Sequence, residues 1–143
     1  MDDRFTPRPI AGWYVPAAVA TLLLMLLGCA LFVMHVTADP ATLPLDQRAL
    51  FEAEPGWLVA SLGAASGIGL VGAAMLLARR KSAVTLLLIS LILAIVWFAG
   101  LFAVPALRDL LTTGEIAAAL VAVALSWTIY WFARHSRQRG WLG

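Results

Sequence analysis

Four apolar runs fill most of the chain, and no Asp, Glu, Lys or Arg falls inside any of them. They are Pro9–Ala38 (30 residues), Pro55–Ala78 (24), Ser82–Leu107 (26) and Ile116–Ala133 (18). A helix rises about 1.5 Å per residue, so roughly 20 apolar residues cross the ~30 Å hydrocarbon layer. Each run is at or near that length. The chain is 62% hydrophobic and 13% charged, against about 25% charged residues in a soluble domain. A water-soluble fold of 143 residues cannot hide that much apolar surface. The expected fold is all-α: a four-transmembrane-helix up-down bundle, one membrane domain over residues 1–143. Its spans are expected at about 12–37, 57–78, 82–105 and 115–134, with an outer loop over 39–56.

Lys and Arg gather on the cytoplasmic side of spans. Arg4 and Arg8 in the N-terminal tail, Arg79, Arg80 and Lys81 between spans 2 and 3, and Arg134, Arg137 and Arg139 after span 4 all fall on one side. The other side has Arg48 and Arg108 and collects Asp39, Asp46, Glu52, Glu54, Asp109 and Glu115. Both termini are therefore expected in the cytoplasm and the chain in a bacterial inner membrane. Trp13, Tyr14, Trp57, Tyr130 and Trp131 stand at run ends, where amphipathic rings prefer the headgroup level, and Trp97 is expected to approach the outer interface. Net charge is only +2, too little to indicate nucleic acid as a partner.

Leu26-Leu27-Gly28-Cys29 looks like a lipoprotein cleavage box, and Val36-Thr37-Ala38 like a signal-peptidase site. The apolar run outlasts a usual signal core of about 7–15 residues and continues past Cys29. Span 1 is expected to be retained, with Cys29 a small packing residue.

The outer loop can form a short amphipathic helix over Asp46–Glu54, with Pro44 near its start and Leu45, Ala49, Leu50 and Ala53 on its membrane side. In span 2, Gly56, Ala60, Gly63 and Gly67 form one small-residue stripe, and Ala65, Gly69, Gly72 and Ala73 form a second on roughly the opposite side. Small residues let helices approach closely in lipid, so span 2 is expected between two neighbours. In span 1, Tyr14, Thr21, Gly28 and His35 recur every seven residues and define an inward polar face.

Reactive chemistry is sparse. The only cysteine is Cys29, the chain has no Asn, and Gln47 and Gln138 lie outside the spans. His35 and His135 fall at opposite ends of the bilayer and cannot share a haem or another metal, so no metal or cofactor is expected. Cys29 and His35 are about 9 Å apart along the helix axis and on different faces, so no nucleophile meets a base. No catalytic residue is expected. His35 is expected to bond an outer-loop group, with Asp39 at i,i+4 one candidate. Small multidrug exporters are also four-span chains, but they carry an acidic residue in span 1, and this chain has none there.

Trp13-Tyr14, LPLDQRALFEAEPGW, ARRKSAV and WFARHSRQRGW together cover the ends and connections of the chain. On these segments it resembles a group of small, uncharacterised four-span proteobacterial inner-membrane proteins, some labelled as sugar transporters. That resemblance implies a family but carries no site residues. The sugar label also sits poorly with spans that lack amide and charged side chains.

The expected function is a non-enzymatic inner-membrane protein, an accessory subunit whose partners are the lipid bilayer and another membrane protein or a second copy of itself. The alternative is a small transporter or facilitator for a weakly polar solute, using the Thr21, Gly28 and His35 face.

Overall fold

The computed structural model describes residues 9–143, and every regular element among them is helical. Helices α1 (Tyr14–Thr37), α3 (Gly56–Leu77), α4 (Ser82–Ala103) and α6 (Thr113–Gln138) are long and apolar enough to cross a membrane. A 3₁₀ turn (Pro40–Thr42) and the short helix α2 (Leu45–Ala53) lie between α1 and α3, and one turn of helix, α5 (Pro105–Arg108), follows α4. The architecture is the expected four-helix membrane bundle. Arg4 and Arg8, used to orient the chain, lie outside the described residues.

Local chemistry sets the helix ends. Pro16 falls in the first turn of α1, where its missing N–H would have no intrahelical partner. Thr112 and Glu115 form a reciprocal capping box that starts α6. Helix α4 stops at Ala103, two residues short of the expected span end, because Val104 precedes Pro105 and is held extended. Helix α6 runs to Gln138, beyond the expected Arg134. Charge ends the membrane-compatible stretch, but Arg134, His135 and Arg137 suit a helix C-terminus.

The long helices pack in the order α1, α3, α4, α6. Their apolar contacts collect into two cores, one at each end of the bundle. At the end carrying the termini, Tyr14, Leu76, Leu87, Ile129, Ala133 and Trp141 belong to one cluster. At the opposite end Leu58, Leu101, Leu107 and Ala119 form another, with Leu50 and Ala53 of α2 packed on it. Leu45, expected on the membrane side of that helix with Leu50 and Ala53, is 85% exposed and takes no part in this cluster. It sits in the first turn, ahead of the residues that reach the core.

Two side chains brace the α3–α1 and α3–α4 contacts away from these cores. The Cys29 thiol donates to the Ser66 carbonyl at 3.3 Å, and the Ser90 hydroxyl donates to the Ala65 carbonyl at 2.7 Å.

Helices α1 and α6 meet only where their aromatic ends touch. Trp141 packs edge-on to Trp13 and Tyr14 at ring separations of 5.4 and 5.8 Å, and Phe132 leans on the same two rings. Trp141 reaches this position because Gly140, at φ +73°, reverses the chain after α6. The Trp141 and Gly140 amides then bond the Ser136 and Arg137 carbonyls, the helix-ending pattern that a left-handed residue allows. Arg79 does the same for α3 at φ +59°, a conformation that disfavours any residue with a Cβ. Its carbonyl accepts from the Gly143 amide at 2.7 Å and its Nε donates to the Trp141 carbonyl at 3.1 Å. The segment after α6 is thereby tied beneath the α3–α4 turn.

Candidate binding cleft

Between the two cores, α1 and α6 separate and leave a cleft floored by α3 and α4. Its deeper part is a cavity of about 330 Å³ between Leu24–Phe32 of α1 and Ala122–Ile129 of α6. Its outer part is about 610 Å³, covered by α2 and reaching His35, Gln47, Glu54 and Glu115. Trp97 and Ala122 line both parts, so the two abut there. These volumes are of the order of small-molecule sites, about 300–1,000 Å³.

The deep walls are hydrocarbon with a few hydroxyls, whose protons are already donated to helix carbonyls. Ser66 donates to Leu62, Ser126 to Ala122 and Ser90 to Ala65. Among the described residues, Trp97 Nε1 is the one buried side-chain nitrogen or oxygen with no hydrogen-bond partner. Sequence placed Trp97 near the outer interface. It packs on the cluster at that end, half-buried, and its ring also lines both parts of the cleft because α4 is a central helix of the row.

The four residues of the α1 inward face divide along its length. Tyr14 is buried and donates to the Leu76 carbonyl at 2.6 Å. Thr21 is buried and bonds back to Ala17. Gly28 lines the deep cavity, with open space where a Cβ would stand. His35 lines the outer part, 2.7 Å from Glu54 Oε2, with Phe51 leaning on its ring at 5.4 Å. His35 therefore meets the outer loop at Glu54. Asp39, the nearer candidate in sequence, instead accepts from the Ala41 amide and caps the 3₁₀ turn.

The glycines of α3 also divide. A Cβ on Gly63 would press on Phe32, one on Gly69 on Ser90 and Met25, and one on Gly72 on Leu87, at 2.6–2.9 Å. Those three mark close approaches to α1 and α4. Gly56 and Gly67 have nothing within 4 Å, and Ala60 beside them is exposed. Helix α3 receives both neighbours on one half of its circumference, which leaves this stripe on the lipid side. Gly100 of α4, against Leu58 and Trp57, is a further close approach that the small-residue stripes of span 2 could not reveal. The burial of Trp141 and Leu142 was likewise missed, although Gly140 followed by an apolar residue after a basic helix end is its signature.

Among the described residues, no three His, Cys, Asp or Glu side chains converge as metal ligands would. No protein family, curated protein or solved structure matches this chain.

Proposed function

We propose that this integral membrane protein is a non-enzymatic carrier or facilitator of the bacterial inner membrane, with both termini cytoplasmic, that holds a weakly polar solute between α1 and α6. The carrying observation is the pair of abutting hollows between α1 and α6, one at the bundle centre and one at the loop end. The Cys29 thiol is spent on the Ser66 carbonyl and His35 on Glu54, an arrangement that suits holding a solute. The test is a thermal-unfolding screen of the detergent-purified chain against neutral solutes and amphiphiles. A ligand should raise the unfolding temperature, and Gly28→Phe, which fills open space, should abolish that rise while keeping the fold. Stabilisation that survives both Gly28→Phe and Ala122→Phe would sink the reading.

A second reading, an accessory subunit of a larger membrane complex, draws on the open Gly56, Ala60 and Gly67 stripe, since small residues suit close helix contact in lipid. The resemblance of the outer-loop segment to small four-span inner-membrane proteins is compatible with either. Purification from native membranes in mild detergent separates them: a stoichiometric partner lost in Gly67→Leu supports the subunit, and a chain that purifies alone supports the carrier.

A further inference from the structure

We infer that the cleft takes a single-chain amphiphile whose head is uncharged and hydroxyl-bearing. This rests on the solute-binding reading above and names its ligand class.

Shape is the first argument. On α1 the cleft extends from Leu24 to Ala38, about 21 Å at the helical rise. That length, along a helix long and apolar enough to cross a membrane, suits an acyl chain. Polarity is the second. In the deep part the three serine hydroxyls already bond helix carbonyls. A solute with many polar groups would leave them unpaired there, at about 1–3 kcal/mol each. A free sugar does not fit this wall, whereas a hydrocarbon chain does.

The head is constrained by the outer part. Its lining includes two acidic residues, Glu54 and Glu115, and no Lys or Arg. Glu115 is held by its capping box and Glu54 Oε2 by His35. A phosphate or carboxylate head would find no Lys or Arg, with His35 already engaged by Glu54, and would face acidic groups, so anionic lipids are disfavoured on charge. A hydroxyl, by contrast, can donate to the second oxygen of Glu54 and accept from the Gln47 amide. Ordering the ligand as hydroxyl head and then chain therefore matches the wall from the loop end inward.

The test uses the full chain in detergent, a monoacylglycerol bearing a diazirine on its chain, and peptide mapping after photolysis. Labels are expected on Leu24–Phe32 and Ala122–Ile129. Excess 1-oleoylglycerol should cut them about tenfold, and the same concentration of oleate or lysophosphatidylglycerol less than about twofold. Equal competition by oleate would overturn the uncharged head while leaving a ligand-binding cleft standing. Labels spread over outward residues such as Val19 and Val71, and not displaced by 1-oleoylglycerol, would overturn both. Because the competition is read on the unmodified chain, no variant has to fold for the outcome to count.

Discussion

The Tyr14 hydroxyl donates to the Leu76 carbonyl at 2.6 Å, joining the first turn of α1 to the last turn of α3. Tyrosine at a span end usually serves the headgroup layer, but this ring is only 1% exposed. Tyr14→Phe keeps the ring and removes the bond. It should cost about 1 kcal/mol, the scale of interhelical hydrogen bonds in membrane bundles, read as a lower midpoint in denaturant unfolding in detergent. An unchanged midpoint would show the bond to be energetically idle.

Gly69 and Gly67 are two residues apart and should respond oppositely to a large side chain. Gly69→Leu drives atoms into Met25 and Ser90 and should destabilise the bundle by about 1–3 kcal/mol. Gly67→Leu points into open space and should leave monomer stability unchanged. A matched loss in both variants would contradict the placement of α1 and α4 on one half of α3.

His35 ties α1 to the end of the outer loop through Glu54. Removing it in His35→Ala should raise the local opening of α2 by roughly tenfold, equivalent to about 1.4 kcal/mol. Hydrogen exchange at the amides of Leu50–Ala53 is the readout. Membrane insertion should be normal, since the change leaves all four spans apolar. Exchange identical to wild type would remove His35 from any latching role.

Trp141 is 7% exposed and touches Trp13, Tyr14 and His135. Trp141→Ala should cost about 3 kcal/mol or more, as other buried aromatic truncations do. Gly140→Ala should cost about 1 kcal/mol from backbone strain at φ +73° alone. Near-UV circular dichroism should report the first as a lost aromatic signal and the second as a small shift in midpoint only.

Orientation has its own test. A reporter fused after Gly143 should register as cytoplasmic, and one inserted near Asp46 as periplasmic. The reverse pattern would refute the assignment drawn from Arg79, Arg80, Lys81 and the basic end of α6.

The spans could be read from the sequence because an uninterrupted apolar run of membrane length has few alternatives in water. The break before Pro105 was available in principle, since a residue preceding proline resists the helical region. The cleft was not legible. It depends on which helix faces which, and apolar spans such as α4 carry little facial asymmetry to reveal that. His35 stood out as a polar residue near the end of an apolar run, but Glu54 as its partner requires the path of the loop. Likewise, Gly67 and Gly69 are chemically identical, and only the placement of α1 and α4 separates them.

The division of the apolar core into two clusters bears on cooperativity. Unfolding is all-or-none when every contact depends on one shared interior. Here Trp141 and Tyr14 report one interior and Leu58 and Leu107 another. Between them α1 is joined to α3 through the Cys29 bond and the close approaches of Phe32 to Gly63 and Met25 to Gly69. Heat or denaturant can therefore melt one end while the other stays packed, and each end would have its own free energy of opening. A bound chain spanning the gap would couple the two ends, so occupancy of the cleft would show as a sharpening of the unfolding transition as well as a shift in its midpoint.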